Sequence, residues 1–275
     1  MSLTETANQT SAKSRPSRPR LGVDRVTVGG ILLFIALMAA WEWILIPLTG
    51  ASPAILPRPS QIMTSLYSGI LNGTLLPNIW ITMQEVLAGL VVGAGLGFLL
   101  AIPVAEWRVV ERLMSPYVVA LQAIPKVAIA PLFVIWFGFG LTSKVAIVAL
   151  ITFFPVFINA VAGLRSSASE QMELFAIYGA SRFQRFRYLK LPSSGAFVVA
   201  GLNVGVTLSV IGAVVAEFVG AQEGLGAVIV RAGFAMDTPG VFAAVLCLTV
   251  IAAALSAAVE KIGRKIVFWV NTNAD

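Results

Sequence analysis

The sequence predicts an all-α membrane protein in which six helices cross the bilayer. Of its 275 residues, 58% are hydrophobic and only 12% are charged, whereas soluble domains carry roughly 25% charged residues. Six separate windows are apolar and long enough to cross a hydrocarbon core of about 30 Å. Lys and Arg gather in alternate connections between these windows, as the positive-inside rule requires. These observations exclude a soluble globular domain and a disordered chain.

The predicted spans are residues 30–48, 79–104, 117–139, 145–164, 196–219 and 241–259. We interpret the first window as a retained span rather than a signal peptide, because its basic leader is long and no small-residue cleavage site follows. With the N-terminus in the cytoplasm, fifteen of the 19 basic residues fall on the cytoplasmic side and three on the outer side. Both termini are therefore expected to be cytoplasmic. Residues 1–25 are expected to form a disordered basic tail before a transmembrane domain of residues 26–275.

Two of the spans carry small residues at every fourth position. They are Gly89, Gly93 and Gly97 in the second span, and Gly201, Gly205 and Ser209 in the fifth. Helices in lipid associate through close backbone contact, and small residues on one face permit that contact. We therefore expect these two faces to pack against neighbouring helices.

Shorter elements are predicted outside the spans. Three prolines at positions 53, 57 and 59 indicate an extended linker after the first span. Beyond it, Ile62, Leu66 and Ile70 share one helical face, which predicts a short helix lying at the outer interface. Asp237 and Pro239 are typical of the first turn of a helix and predict the start of the sixth span.

The longest polar segment between spans, residues 165–192, predicts two short helices joined by a tight turn. Ser167 with Glu170, and Ser181 with Gln184, have the spacing of capping boxes. Gly179 lies between them, where a helix that ends in the left-handed conformation favours glycine. The first helix is expected over residues 169–178, and Pro192 is expected to end the second before the fifth span begins.

Aromatic and basic side chains distinguish the two helices of this segment. The first presents Leu174, Phe175 and Tyr178 within one turn, so it needs a surface to pack against. The second places Phe183, Phe186 and Leu189 on one side, with Arg182, Arg185, Arg187 and Lys190 around it. Such a helix can rest on anionic headgroups. From these residues alone, a basic interfacial loop with ordinary caps is an equally good interpretation, whereas a DNA-binding helix-turn-helix is a poor one.

The spacing within this segment resembles the EAA loop, E-A-A-x3-G-x9-I-x-L-P. Glu173 is followed six residues later by Gly179 and then by Leu189-Lys190-Leu191-Pro192. Leu174 and Phe175 replace the two alanines of the pattern, and Leu189 replaces the isoleucine. The loop marks the permease subunits of binding-protein-dependent ABC importers. The wider chain, over roughly residues 50–265, is similar to the subgroup for sulfonates, nitrate and taurine.

The resemblance implies that the first helix of the segment is a coupling helix docking into a cytoplasmic ATPase. Glu173 would be its charged anchor, Gly179 its turn, and Leu174, Phe175 and Tyr178 its apolar knob, with Leu191 and Pro192 completing the motif. It further implies two permease copies, two ATPase subunits and a periplasmic binding protein that delivers a small solute across the cell inner membrane. The solute is expected to be a sulfonate, nitrate, taurine or similar, with a pyrimidine-type or riboflavin-type vitamin precursor as the alternative.

The chain itself is expected to bind no cofactor and no nucleic acid and to catalyse no reaction. It lacks the G-x-x-x-x-G-K-[ST] phosphate loop, so ATP would be bound by the partner ATPase. It has no His and a single Cys, which disfavours an intramembrane enzyme. A stand-alone secondary transporter is a further alternative, but it needs inverted repeats and intramembrane ion ligands, and neither is evident.

Polar residues inside the spans are candidates for the translocation path, because each is costly to place in lipid. Lys126 lies near mid-depth in the third span, where it could attract an anionic solute or pair with Glu85 or Glu217. The other path candidates, which could equally bridge helices, are Asn159, Asn203 and Thr207. Glu217 is expected to secure the outer loop, and Glu42, between two tryptophans, to be interfacial or paired.

Overall fold

The computed structural model of the protein describes residues 25–50, residue 52 and residues 55–269. The predicted tail lies outside the described residues apart from Arg25, and so does the first linker proline, Pro53. All regular structure in the described ranges is helical, and no strand occurs there. The predicted all-α fold class is therefore confirmed.

The helices follow one another with short connections. They are α1 (Arg25–Ala40), α2 (Ile46–Thr49), α3 (Pro59–Leu71), α4 (Leu75–Glu106), α5 (Arg108–Ala123), α6 (Lys126–Phe137), α7 (Leu141–Arg165), α8 (Ser169–Ile177), α9 (Arg182–Arg185), α10 (Leu191–Phe218), α11 (Leu225–Phe234) and α12 (Thr238–Ile266). Two π-helical turns, Trp41–Leu45 and Phe186–Lys190, join α1 to α2 and α9 to α10.

Five helical stretches are long and apolar enough to cross a membrane. They are Val28–Thr49, Leu75–Glu106, Leu141–Arg165, Arg182–Phe218 and Thr238–Ile266. The first belongs to a compact unit that ends at Thr49, and the other four belong to a second unit that begins at Gly50. In the first unit, Leu32 and Phe34 are more than half exposed, as expected of side chains that contact lipid. Five predicted spans are thus confirmed as helices.

The predicted third span, residues 117–139, is not one continuous helix. α5 and α6 meet there at 94°, with Ile124 and Pro125 in extended conformations between them. Pro125 has no N–H to continue the ladder of α5, and its ring disfavours the helical conformation at Ile124. Counted as one broken span, the pair brings the total to the six that the sequence predicts.

The core of the second unit is formed by α4, α7 and α10. The small-residue face of α4 lies directly on α7, since Gly89 meets Val148, Gly93 meets Thr152 and Gly97 meets Val156. On α10, a Cβ built at Gly201 would lie 2.9 Å from the Cβ of Asn159 on α7. Thr152, at the centre of this contact, is fully buried. The predicted role of the glycines in close packing is confirmed.

Replacing Gly93 with Ala is expected to destabilise the fold, whereas replacing Gly95 with Ala is not. A Cβ at Gly93 would approach the Ala149 Cα to 2.9 Å, while a Cβ at Gly95 would meet nothing within 4 Å. Overpacking a tight contact costs about 1–3 kcal/mol, but an exposed helical Gly→Ala change gains up to about 1 kcal/mol. Thermal unfolding of the two purified variants in detergent measures both effects. An equal loss of stability in the Gly93 and Gly95 variants would contradict the packing assignment.

Pro192 does not end the second helix of the 165–192 segment, contrary to prediction. Helical structure runs without interruption from Arg182 to Phe218. Within the π-helical turn before the proline, the Leu191 N–H donates to the Phe186 carbonyl, five residues back. Pro192 then lies in the first turn of α10, where helices tolerate a missing N–H. The wider turn accommodates the proline, and the helix continues.

The predicted caps are confirmed at two helix starts and wrong at a third. The Gln184 N–H donates to Ser181 Oγ over 3.2 Å, and the Ser181 N–H donates to the Gln184 side chain over 2.7 Å. The Gly240 N–H donates to Asp237 Oδ1 over 3.0 Å. The box expected between Ser167 and Glu170 is not formed, because α8 begins one residue later and its N-cap is Ala168.

Candidate functional site

α8 carries an exposed apolar surface, which we call the α8 tip and define as Leu174, Ile177 and Tyr178. Leu174 is 51% exposed, Ile177 80% and Tyr178 81%. Phe175 is half-buried beside them. The structure therefore brings together the three apolar residues of the predicted knob and adds Ile177, which the sequence analysis missed. Its spacing of three residues from Leu174 is the signal that could have found it.

A tight turn presents the tip. Gly179 adopts φ 68°, a left-handed conformation that favours glycine. The Gly179 N–H donates to the Ala176 carbonyl over 3.0 Å, and the Ala180 N–H donates to the Phe175 carbonyl over 2.9 Å. These two bonds close the end of α8 as a glycine-based C-cap does. The predicted turn at Gly179 is confirmed.

A groove of about 350 Å³ lies between α8 and the helix that follows it. It is lined by Leu174, Phe175, Tyr178, Ala180, Gln184 and Tyr188. Leu191 and Pro192, the last members of the predicted motif, do not line it; they begin α10 instead. Glu173 is exposed on α8, and no ion pair engages its carboxylate within the described part of the chain. The carboxylate and the α8 tip are therefore open to a partner.

Residues 165–192, which we call the α8 segment, are tied at both ends to the corner between α4 and α5. Arg165, at the end of α7, pairs with Glu111 and donates to the Val104 carbonyl over 2.7 Å. Lys190, in the π-helical turn, pairs with Glu106 over 2.6 Å. Neither pair was predicted from the sequence. Complementary charges at the ends of neighbouring helices were the available signal, but they do not identify which helices are neighbours.

Lys126 lies at the break between α5 and α6. Its Nζ donates to the Gln122 carbonyl over 3.3 Å and lies 4.8 Å from the ring centroid of Phe154 on α7. The carbonyl is available because α5 ends there, and the ring face attracts a cation. Lys126 is half-buried, and none of the ion pairs within the described ranges includes it.

The alternative in which Lys126 pairs with Glu85 or Glu217 is wrong. Glu85 pairs instead with Lys144, whose Nζ lies 2.5 Å from Glu85 Oε1. α4 and α7 run in the same direction, so the register that sets Gly89 beside Val148 also sets Glu85 beside Lys144. This contact was not predicted from the sequence.

Glu217 is held in a buried network at the end of the bundle opposite α8. Its carboxylate accepts from Thr82 Oγ1 over 2.6 Å and from the Gly226 N–H. Thr82 Oγ1 in turn accepts from the Leu225 N–H over 2.8 Å. These bonds fix the start of α11, so the expectation that Glu217 secures this loop is confirmed. A Cβ at Gly226 would lie 2.7 Å from Glu217 Oε2, which explains the glycine there.

Glu85 and Lys144 extend this network towards a cavity. Glu85 is 1% exposed, and its Oε2 has no hydrogen-bond partner within the described residues. Lys144 Nζ also reaches the Glu223 carbonyl at 3.5 Å. The adjoining cavity of about 790 Å³ is lined by residues of α4, α6, α7, α10 and the loop after α10. The cluster therefore joins α4, α7 and this loop at one point.

The remaining path candidates lie on α7 and α10. Asn159 donates from Nδ2 to the Pro155 carbonyl over 2.8 Å and packs against Gly201. Asn203 has a buried Oδ1 without a hydrogen-bond partner in the part of the chain that the structure describes. Thr207, one turn further along α10, is exposed. The structure thus groups Asn203 with Thr207 and places Asn159 in a contact between two helices.

Among the described residues, no group of three or more His, Cys, Asp or Glu side chains could hold a metal ion. The polar atoms described above form mainly helix-bridging pairs, and the exposed surface on α8 is apolar. They can hold loops, transmit displacement and contact a solute or a partner.

Residues 93–268 match the family described as the inner membrane component of binding-protein-dependent transport systems. The formylaminopyrimidine transport permease protein ThiX of Halalkalibacterium halodurans is 40% identical over 86% of this chain and 94% of its own length. The riboflavin transport system permease protein RibX of Chloroflexus aurantiacus is 37% identical over 82% and 84%. The putative aliphatic sulfonates transport permease protein SsuC of Bacillus subtilis is 30% identical over 96% and 94%.

The fold is similar to that of a solved transporter. In inward-facing structures of the MetNI methionine ABC transporter, one chain superposes with a TM-score of 0.58. The match covers 69% of this chain and 94% of that chain, at 18% sequence identity. At this identity the likeness concerns the fold alone.

Proposed function

Because the chain belongs to the family of binding-protein-dependent transport inner membrane components, and is thus an ABC importer permease of the inner membrane, we propose that α8 is its coupling helix. The exposed α8 tip, held by a glycine turn, is the observation that carries this proposal. Aromatic side chains such as Tyr178 are frequent energetic anchors of protein interfaces, and Leu174 and Ile177 would add apolar contact area beside it. Glu173 would add a charged contact beside them.

The ATPase partner would bind ATP and supply the movement. Two copies of this permease would pair with two ATPase subunits, and closure of the ATPases would draw the two α8 helices together. Lys190 and Arg165 link the α8 segment to the end of α4, and the other half of α4 carries Thr82 and Glu85. Displacement of α8 would therefore reach the opposite end of the bundle through one rigid helix, as alternating access requires.

The α8 end of the bundle is proposed to face the cytoplasm, together with both termini. In a Cys247→Ser background, a membrane-impermeant maleimide added to intact spheroplasts is expected to label Ala235→Cys and not Gln171→Cys. Both positions are exposed, and they lie at opposite ends of the bundle. Labelling of Gln171→Cys should appear only after the membrane is opened. Labelling of Gln171→Cys in intact spheroplasts would reverse the orientation and contradict the coupling role.

The translocation path is proposed to pass the break between α5 and α6, with Lys126 contacting an anionic solute such as a sulfonate. A half-buried lysine without a carboxylate partner in the described ranges supports this, since such a charge is costly inside a span. Asn203 and Thr207 would add hydrogen bonds along the same path. A vitamin precursor is the second candidate, because the relatives named for a formylaminopyrimidine and riboflavin share 40% and 37% identity with this chain.

Lys126→Met is expected to weaken stimulation of the ATPase by an anionic solute and its binding protein. A hydrogen bond to a charged group contributes roughly 1.5–3 kcal/mol. The concentration of solute-loaded binding protein that gives half-maximal stimulation should therefore rise roughly ten-fold or more. Reconstituted vesicles containing the complete transporter provide the measurement. Lys126→Arg should retain most of the effect, and the exposed Lys265→Met is the control for loss of charge. Unchanged stimulation in Lys126→Met would remove Lys126 from the path.

A further inference from the structure

A basic pocket of about 480 Å³ lies between the α4–α5 corner and the α8 segment. Four cationic side chains line it, Arg108, Arg182, Arg185 and Lys190, against the single carboxylate of Glu106. We call this the α4–α9 pocket. It is separate from the α8 tip and its groove, whose lining residues it does not share. The coupling role proposed above does not use it.

The charges of the α4–α9 pocket are not balanced within the described part of the chain. Lys190 already neutralises Glu106 through their ion pair at 2.6 Å. The remaining three arginines form no ion pair with a carboxylate among the described residues. Arg185 Nε is buried and lacks a hydrogen-bond partner there. A buried guanidinium donor without an acceptor is costly, so the pocket is complementary to an anion with several oxygen atoms.

The rim of the pocket is apolar and lies at the end of a span. Trp107, which separates α4 from α5, is 52% exposed, and Val109 on the first turn of α5 is 69% exposed. Tryptophan is enriched where the hydrocarbon core meets the headgroups. A soluble anion would gain nothing from such a rim, whereas a phospholipid would place its phosphate among the arginines and its acyl chains along α5.

We propose that the α4–α9 pocket binds the phosphate headgroup of an anionic phospholipid. Planar guanidinium groups bind phosphate oxygens in pairs, which suits three arginines around one group. Basic pockets between transmembrane helices on the cytoplasmic side are known to hold such headgroups. Because Met172 of α8 also lines the pocket, the bound lipid lies against the coupling helix. The inference goes beyond the proposed transport function, and its test does not depend on transport.

Lipid binding to the purified full-length chain tests this directly. Native mass spectrometry measures the fraction of chain that retains lipid after delipidation and titration with phosphatidylglycerol or phosphatidylcholine. The wild-type chain is expected to retain phosphatidylglycerol preferentially. Arg185→Gln and Arg108→Gln should each lower the phosphatidylglycerol affinity roughly five-fold, without changing that for phosphatidylcholine. Arg185→Lys, which keeps the charge without the planar guanidinium, should have an intermediate affinity.

Arg187→Gln is the matched control, since Arg187 is exposed two residues from Arg185 and does not line the pocket. It should bind phosphatidylglycerol like the wild type. An equal loss of phosphatidylglycerol affinity in Arg187→Gln would show that the lipid is attracted to basic residues in general, and it would overturn the proposal. Displacement of the lipid by equimolar inorganic phosphate would make this a soluble-anion site and also overturn it. Arg108 is exposed, so Arg108→Gln keeps the test valid even if Arg185→Gln fails to fold.

Discussion

Ile177→Asp is expected to abolish ATP-driven uptake and to release the ATPase from the permease. Ile177 is 80% exposed on the α8 tip, so the substitution leaves the fold of the chain intact and changes only the surface offered to the partner. A carboxylate buried in an apolar groove of the ATPase would lack a counter-charge. Losing one interface anchor costs about 2–4 kcal/mol, which weakens the association roughly 30- to 1,000-fold. Co-purification of the ATPase and uptake into reconstituted vesicles provide the two measurements.

Ile55→Asp is the matched control for this experiment. Ile55 precedes α3, outside the α8 segment, and is 76% exposed, so it undergoes the same change at a similarly open position. It should retain the ATPase. The combined variant Glu173→Ala with Gly179→Asp should lose it, because the charged contact and the left-handed turn are both removed. Normal uptake by Ile177→Asp or by the combined variant would refute the assignment of α8 as the coupling helix.

Lys144→Met is expected to lower the free energy of unfolding by about 3–5 kcal/mol. Its partner Glu85 is 1% exposed, and removal of the ammonium leaves a buried carboxylate without its counter-charge. Adding Glu85→Gln to Lys144→Met should recover most of this stability, because the remaining pair is neutral. Thermal or denaturant unfolding of the purified variants in detergent measures both effects.

Arg264→Met provides the corresponding surface comparison. Arg264 and Glu260 form an ion pair of 3.4 Å on α12 with both side chains more than half exposed. Such pairs contribute less than about 1 kcal/mol, so this variant should unfold almost like the wild type. If Lys144→Met were no more damaging than Arg264→Met, the buried pair would not hold α4 to α7. Failure of Glu85→Gln to rescue Lys144→Met would show that the lysine acts through another contact.

Local patterns in the sequence are sufficient to predict much of this molecule. Hydropathy locates the spans because the cost of placing polar groups in lipid acts on each segment separately. The turn at Gly179 and the cap at Ser181 follow from bonds between residues at most five positions apart. The spacing of Glu173, Gly179 and Leu191-Pro192 indicates the transporter family, to which the chain does belong. Each of these features depends on neighbours along the chain.

Neighbours in space account for what could not be predicted. The sequence allows Lys126 to pair with Glu85, but the packing of α4 on α7 places Lys144 beside Glu85 instead, 59 positions along the chain. The register of that contact arises from glycine faces meeting a neighbouring helix, and the sequence does not state which helix is the neighbour. Likewise, hydropathy registers residues 117–139 as one apolar window, although the chain bends by 94° within it. The free energy of transferring a segment into lipid depends on its residues and not on the direction in which its helix runs. Helix packing and the steric restriction at Pro125 instead determine where each polar group lies.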